Sequence, residues 1–318
     1  MKMQTSPVSH SSGIHRALES NSAARSPLVA SWSRSLRLHG LDPEKRDLPT
    51  RLSARQFAVA REKNKAMLQA AGPSLDQLFL AVGGVGCCVV LADDEGVILE
   101  RRGATVDDRD FANWGLWTGT VWSEGLEGTN AIGTCLAEKR PVTITRDQHF
   151  LARNAALSCI SAPLFDIDGR LAGALDVSSC RADLTEGFAT LISHSVQEFA
   201  RRIEAETFRQ AFPNARILMV AGRGRVSDGL LVVDKDDLVI GASHSARMAF
   251  HLVGDLTAAP RPVDDLLGVR GEDGFDTAER AVLARALARS RGNVSAAARG
   301  LGVSRATMNR KLNRSFTL

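Results

Sequence analysis

The chain has 318 residues, a net charge of +4 and a hydrophobic content of 44%, which is typical of a soluble protein of two or three domains. It has no apolar run long enough to cross a bilayer, and its polar N-terminus lacks a signal-peptide core. We therefore expect a cytoplasmic protein. Five cysteines in apolar surroundings predict reduced, buried thiols rather than a disulfide framework: Cys87, Cys88, Cys135, Cys159 and Cys180.

Residues 1–72 are predicted to comprise a disordered, Ser-rich tail over the first 25 residues and then amphipathic helices. A second helix should run from Ser53 to about Ala71, and Pro73 should separate it from a further helical run. These helices are a candidate dimer interface, or they pack on their own domain. The first helix is expected to bury one side: Leu28, Trp32, Leu36 and Leu38.

Residues 73–207 show the pattern of a mixed helix and strand domain. Two strands joined by the acidic turn 93–96 are followed by strands at 141–145, 158–165 and 171–177, and a long helix runs from about Leu184 to Arg209. Five or six strands with helices at both ends predict a GAF-like sensor domain. The fold class is therefore α+β and multidomain.

Residues 113–134 hold three of the four tryptophans, five glycines and a Glu-Gly-Thr-Asn turn. Aromatic walls with a few converging polar groups suit a pocket for a small organic effector. Each of these residues also has a structural reading as core, turn or helix cap. The candidate pocket residues are Trp117, Trp122, Glu124, Asn130, His149 and Cys159.

Residues 212–260 contain two short strands and a helix, which suggest a short PAS-like segment, and residues 261–275 suggest a linker with Pro262 and Gly268. Residues 276–318 then form three short helices. Asp276 or Thr277 is expected to cap the first, with Val282, Leu283, Ala286 and Leu287 as its apolar stripe.

The third of these helices should present cations, a hydroxyl and an amide, the groups that contact phosphates and base edges. Residues 272–318 carry nine Arg or Lys against four Asp or Glu, so this tail has a net charge of +5. Such a concentration of positive charge predicts a DNA-binding module. The alternative is a solvated helical hairpin. The candidate DNA-contacting residues are Asn293, Ser295, Ser304, Arg305, Thr307, Asn309, Arg310, Lys311 and Arg314.

The sequence GNVSAAARGLGVSRATMNRKL closely resembles the Fis-type helix-turn-helix of bacterial transcriptional regulators. The segments WSEGLEGTNAIGT, PVTITRDQHF and LSCISAPLFDIDGRLAGALDVSS resemble the sensor domain of acetoin and glycerol catabolism regulators. That family activates sigma-N RNA polymerase. The resemblance implies a sequence-specific DNA-binding regulator that acts as a homodimer on double-stranded DNA, in a bacterial cytoplasm and at the nucleoid when bound.

The family's central ATPase needs a loop of the form GxxxxGK[ST] to bind phosphates. The sequence contains no Gly-Lys pair, so we predict a regulator without its own ATPase. It acts alone, or as an accessory protein that needs RNA polymerase or an ATPase-bearing partner. An architectural role on DNA is a weaker alternative, because about 270 residues precede the tail.

Metal or redox sensing by the cysteines and His149 is a further alternative, although no CxxC or comparable ligand spacing is present. Some GAF domains reduce free methionine sulfoxide with cysteines. No cysteine here has an evident electropositive neighbour that would activate it. We therefore expect no catalytic residue, no bound metal and no cofactor other than the effector.

Overall fold

The structure is a computed structural model, which describes residues 10–19, 25–181, 185–221, 229–268 and 274–316. Two compact units comprise residues 1–260 and residues 261–318. Each unit is described by itself.

The first unit is built on a five-stranded antiparallel sheet. Its strands are β1 (Cys87–Asp93), β2 (Ile98–Arg102), β3 (Val142–Thr145), β4 (Ser158–Phe165) and β5 (Leu171–Ser179), in the order β2-β1-β5-β4-β3. The α-helices of this unit up to residue 211 are α1 (His10–Glu19), α2 (Pro27–Ser33), α3 (Ala54–Lys63), α4 (Lys65–Val82), α5 (Asp108–Trp114), α6 (Glu124–Glu127), α7 (Ala131–Glu138) and α8 (Glu186–Ala211).

The two faces of this sheet carry separate cores. On one face, α4 and α8 pack side chains such as Leu75, Leu78 and Val196 against Leu91 and Val177. On the other, which we call the α7 face, α5 and α7 cover Cys88, Val90 and Cys159. Alternate residues of each strand supply the two cores, as the period of a strand requires.

The predicted disorder of the first 25 residues is wrong for residues 10–19, because they form α1. Ile14 and Leu18 are buried against Val29 of α2 and against Phe150 and Leu151. Tertiary contact therefore stabilises a short polar helix that its composition alone does not predict. The remaining residues of the predicted tail up to 24 lie outside the described residues.

Two details of the N-terminal helices also differ from expectation. Pro73 lies inside α4, which continues because Met67 and Ala71 before it and Leu75 after it all pack on the sheet. Leu38 is 71% exposed. It ends a π-helical turn, Arg34–Leu38, whose wider spacing turns this side chain away from the buried side.

A second, smaller sheet follows α8. It contains β6 (Arg216–Val220), β7 (Gly229–Val233) and β8 (Leu238–Ala242) as antiparallel neighbours, with α9 (His244–Phe250) after them. The predicted strands and helix are present, and β6 is an additional strand. The ring of His244 stacks on Phe165 of β4 at 3.8 Å, so α9 packs on the hairpin of the larger sheet. The interpretation as PAS-like stays a prediction.

The second unit contains β9 (Arg261–Pro262), α10 (Val263–Leu267), α11 (Phe275–Arg289), α12 (Val294–Gly300) and α13 (Arg305–Phe316). The last three helices bury a common core of Leu283, Ala286, Ala297, Ala298 and Met308. The turns before α12 and α13 each contain a glycine with positive φ, Gly292 and Gly302. Glycine adopts this conformation without the strain that a Cβ would cause.

Three expectations about this unit are corrected. The segment 261–275 is not entirely a linker, because it contains α10. The cap of α11 is Gly274, so Asp276 and Thr277 lie within the helix. Val282 is 41% exposed, because the core-facing side of α11 is formed by Leu283 and Ala286.

Candidate effector face and DNA-contacting helix

The strand register places charged and hydroxyl side chains in one row across the α7 face. Arg101 of β2 pairs with Val90, Val90 pairs with Asp176 of β5, and Asp176 pairs with Ser161 of β4. Directly paired residues project to the same side of a sheet. A bulge in the β1–β2 pairing between Leu91 and Ala92 brings Arg101 to this side. The row therefore places a carboxyl group, that of Asp176, and a guanidinium cation, that of Arg101, on the same face as this apolar core.

Asp176 is fully buried at the centre of this row. Ser161 donates to one carboxylate oxygen, and the Ser178 hydroxyl donates to the other at 2.6 Å. Burial raises the pKa of Asp176 to about 6, since the charged form loses hydration, and the two serine hydrogen bonds oppose that rise. The carboxyl group thus titrates close to neutral pH within an otherwise apolar layer.

Arg101 lies at the edge of the row, in an aromatic cage. Its guanidinium carbon is 4.6 Å from the centre of the Trp117 ring and 5.3 Å from that of Phe111. Nη1 donates to Asp108 at 2.7 Å. Trp117 is half-buried, so this predicted pocket residue does lie on the α7 face, as a wall beside Arg101.

Four of the other predicted pocket residues have structural partners. Trp122 is 2% exposed and donates to the carbonyl of Gly115 at 2.9 Å. Asn130 caps α7 by accepting from the Gly133 amide at 2.8 Å. Cys159 is buried, and its Sγ lies 3.1 Å from the Ser178 hydroxyl oxygen. The ring of His149 is fully buried, and its Nδ1 lies 3.0 Å from the carbonyl oxygen of Arg146.

Glu124 has a different role, because it joins the N-terminal helices to the sensor domain. Arg34 donates Nε to Oε1 at 2.6 Å and Nη2 to Oε2 at 3.0 Å, and Ser31 donates to Oε2 at 2.8 Å. The hydrogen bond to Glu124 is the largest influence that raises the pKa of Arg34. The Glu124 side chain is 4% exposed and that of Arg34 is 32% exposed, so the acid of the pair is removed from water.

The cysteines are poor nucleophiles and poor metal ligands in this state. Burial raises the pKa of Cys88, Cys135 and Cys159, and the nearby Asp176 carboxylate adds to the rise. At Cys88 the Arg101 guanidinium opposes this rise, but burial prevails. Burial also raises the pKa of Cys87 and Cys180. Thiols dominate at neutral pH as a result. Within the part of the chain that the structure describes, no three His, Cys, Asp or Glu residues lie where they could share a metal ion.

Sequence reasoning missed Arg101 and Asp176. Asp176 carried a usable signal, because it stands between Leu175 and Val177 in a strand that is otherwise apolar. An acid at such a position is rarely placed in a core without a purpose or partners. Arg101 carried no local signal, since its direction depends on the bulge in the pairing of β1 with β2.

In the second unit, α13 has one buried and one exposed side. Met308 is fully buried, and Leu312 packs on the same core. The opposite side is exposed and polar, and its members are Arg305, Asn309, Arg310, Asn313 and Arg314. We call this set the α13 face. It presents two amides and three cations at the spacing of one helix surface.

The remaining predicted DNA contacts are placed as follows. Asn293 caps α12 through the Ala296 amide at 3.1 Å. Ser304 accepts from the Thr307 amide at 3.0 Å, and the two hydroxyls are 2.8 Å apart. Ser295 is half-buried. Lys311 is ion-paired with Glu279 of α11, on the opposite side from the α13 face, which removes it from the set of expected contacts.

None of the helices in the described part of the chain is long and apolar enough to span a membrane.

Residues 67–206 match the model of the GAF domain, and residues 275–314 match that of the bacterial regulatory protein, Fis family. The acetoin catabolism regulatory protein of Cupriavidus necator is 32% identical over 250 residues, which cover 77% of this chain and 37% of that protein. The acetoin dehydrogenase operon transcriptional activator AcoR of Bacillus subtilis is 28% identical, over 54% of this chain and 29% of its own length.

Among solved structures, the E. coli DhaR(N)–DhaL complex superimposes with a TM-score of 0.51 at 24% identity, over 76% of this chain and 82% of that chain. At this identity the likeness shows a shared fold. The chain spans only about a third of the length of the two relatives named above.

The chain therefore combines a GAF domain with a Fis-type helix-turn-helix, the combination that defines a class of bacterial DNA-binding transcriptional regulators. Within that class it is similar to regulators of acetoin and glycerol catabolism, as its sequence motifs indicated. The α+β multidomain fold is confirmed.

Proposed function

We propose that this protein regulates transcription by binding specific DNA through the α13 face, under the control of a small organic effector bound by the GAF domain. The observation that carries the proposal is the α13 face itself. Its cations and amides are exposed on a helix whose other side is held by the core of a Fis-type unit. Such a helix can enter a major groove while its core keeps it rigid.

We place the effector on the α7 face, between α7, the Trp117 loop and the sheet. Support comes from Arg101 and Asp176, which lie in one row of side chains there. A buried row of charged groups costs stability unless it serves recognition or is fully paired. The effector is the only cofactor in this proposal, and no metal is included.

A single helix-turn-helix reads few base pairs, so the proposal includes a homodimer on two half-sites. The relatives are regulators, and the raised pKa values of the cysteine thiols give no support to a reductase or a redox sensor. We therefore propose a non-enzymatic role in the cytoplasm. The sequence contains no phosphate-binding Gly-Lys loop. The protein therefore either works with an ATPase-bearing partner or regulates an RNA polymerase that needs no activator ATPase.

The test is a binding experiment with DNA sites selected by the purified protein from a random library. We expect Arg305→Ala and Arg310→Ala each to weaken binding to the selected site by about tenfold or more, as expected for a lost base or phosphate contact. Lys235→Ala is the matched control, because it removes one exposed cation of the smaller sheet, outside the Fis-type unit. Unchanged affinity in both arginine variants would contradict the proposed DNA-contacting face.

A further inference from the structure

One edge of the Arg101 guanidinium lacks a partner, although the side chain is only 9% exposed. Nη1 is bonded to Asp108, whereas Nε and Nη2 are buried without an oxygen acceptor among the described residues. The Cys88 thiol beside the guanidinium is only a weak acceptor. A buried donor that is left unpaired costs free energy, and the cost is larger for a charged group. A ligand that offers acceptor oxygens to Nε and Nη2 would therefore remove this cost.

Another arginine of this chain, Arg34, shows which chemical group the Nε and Nη2 atoms of a guanidinium can bind together. Arg34 uses Nε and Nη2 to hold the two oxygens of the Glu124 carboxylate. Two parallel donors match two coplanar carboxylate oxygens, which makes this pairing both strong and specific. Arg101 presents the same pair of atoms, and no carboxylate of the described chain occupies them.

The surroundings of Arg101 favour a ligand with a single negative charge. Asp108 already neutralises the guanidinium from the outer side and is 35% exposed, so solvent screens it. Asp176 lies two positions along the row and disfavours additional negative charge. Phe111 and Trp117 supply apolar walls beside the guanidinium. A small monocarboxylate can accept hydrogen bonds from the unpaired Nε and Nη2 atoms without the second negative charge of a phosphate dianion.

We propose that the effector is a small monocarboxylate whose two oxygens bind Nε and Nη2 of Arg101. Trp117, which is half-buried over the guanidinium, moves aside to admit it. This inference rests on the proposed function, since it names the chemistry of the effector at the site proposed above.

The experiment compares acids with their own amides by calorimetric titration of the full chain. The probes are lactate against lactamide, butanoate against butanamide, and benzoate against benzamide. We expect at least one acid to bind about tenfold or more tightly than its amide, because the amide lacks the charge and one acceptor. Intrinsic fluorescence should report the same binding event, and Trp117→Phe should remove most of that signal.

Variants of Arg101 test whether this residue causes the preference for acids over amides. Arg101→Gln should abolish the difference between acid and amide, and Arg101→Lys should reduce it, because lysine keeps the charge without the two parallel donors. Arg102→Gln is the matched control, since Arg102 is the next residue of β2, pairs with Val89 on the opposite face and bonds Asp76. Circular dichroism checks that each variant is folded.

The outcomes separate this inference from the proposed function. Amides that bind the wild type as tightly as the acids, or better, would overturn the carboxylate assignment while leaving a sensor in place. An acid preference that persists in Arg101→Gln would also overturn it. No binding of any probe to the wild type would count against both the carboxylate and the small-effector proposals, whereas DNA binding would be unaffected.

Discussion

At the scale of single residues, the α7 face is distinguished by two charged side chains, Arg101 and Asp176, in a largely apolar core. Asp176 accepts from two serine hydroxyls, and Arg101 bonds Asp108 while its buried Nε and Nη2 have no oxygen acceptor among the described residues. Around them, Cys88 and Cys159 occupy the next row of the same face and act as small apolar side chains. The polar groups are therefore enclosed by a layer that excludes water and strengthens their interactions.

The raised pKa of Asp176 makes a prediction about stability and pH. A carboxyl group whose folded pKa lies above its unfolded value stabilises the fold below the unfolded pKa, and this contribution is lost as the pH rises through the folded pKa. For Asp176 the window runs from 3.8 to about 6. The free energy of unfolding of the wild type relative to Asp176→Asn should therefore increase as the pH falls from about 6 to 4.

Urea denaturation of both proteins at several pH values measures this difference. The variant is the correct reference because Glu127 and Glu204, with pKa values raised to about 7, and His149, with one lowered to about 4, titrate in both proteins. A difference that is flat across the window would show that Asp176 ionises normally in the folded state.

At the scale of elements, the N-terminal helices belong to the sensor domain rather than preceding it. Ser31 of α2 and Arg34 of the π-helical turn both bond Glu124 of α6, and Trp32 donates to the Gln148 carbonyl at 2.8 Å.

Packing also overrides the local helix-breaking tendency of a proline in α4. Pro73 does not end α4, because buried residues on both sides of it face the same sheet.

The Arg34–Glu124 pair predicts a strongly coupled pair of substitutions. Arg34→Met leaves the Glu124 carboxylate, which is 5% exposed, without its cation, and should destabilise the protein by about 3–5 kcal/mol. Arg34→Met combined with Glu124→Gln should recover much of this loss, because Glu124 then carries no charge and Glu138, which Arg34 also bonds, keeps Arg140 as its partner. Thermal or urea unfolding of the single and double variants measures the coupling.

An exposed pair offers the matched comparison. Arg201 and Glu198 of α8 form an ion pair in which both side chains are more than 40% exposed. Arg201→Met should cost less than about 1 kcal/mol. Equal losses at the two sites would mean that burial does not strengthen the Arg34–Glu124 pair.

At the scale of the whole molecule, the proposed homodimer needs a surface on which two chains can meet. The C-terminal end of α4 and the N-terminal end of α8 lie at the same end of the sheet, because Cys87 at the start of β1 pairs with Ser179 at the end of β5. Leu80 of α4 is 83% exposed and Leu191 of α8 is 63% exposed at that end. Exposed leucines on neighbouring helices favour this end as the place of contact.

We expect light scattering during gel filtration to give twice the mass of the 34.1 kDa chain. Leu80→Glu and Leu191→Glu together should convert the protein to a monomer and weaken binding to a two-half-site DNA, because buried charge at the contact is costly. Val106→Glu, at another apolar position that is 86% exposed, is the control and should remain a dimer. A monomeric wild type would contradict the dimer proposal.

The sequence by itself determined the order of the domains, the strands of the larger sheet and the three helices of the Fis-type unit. Periodic apolar residues and capping groups act within a few positions of the chain, so Met308 and Asn293 could be placed without a structure. Tertiary structure decided which distant side chains meet. The bulge that turns Arg101 toward Asp176, the Lys311–Glu279 pair and the packing of α1 all depend on register and contact across the fold. The DNA-contacting helix is thus encoded locally, whereas the proposed effector site exists only once the sheet is assembled.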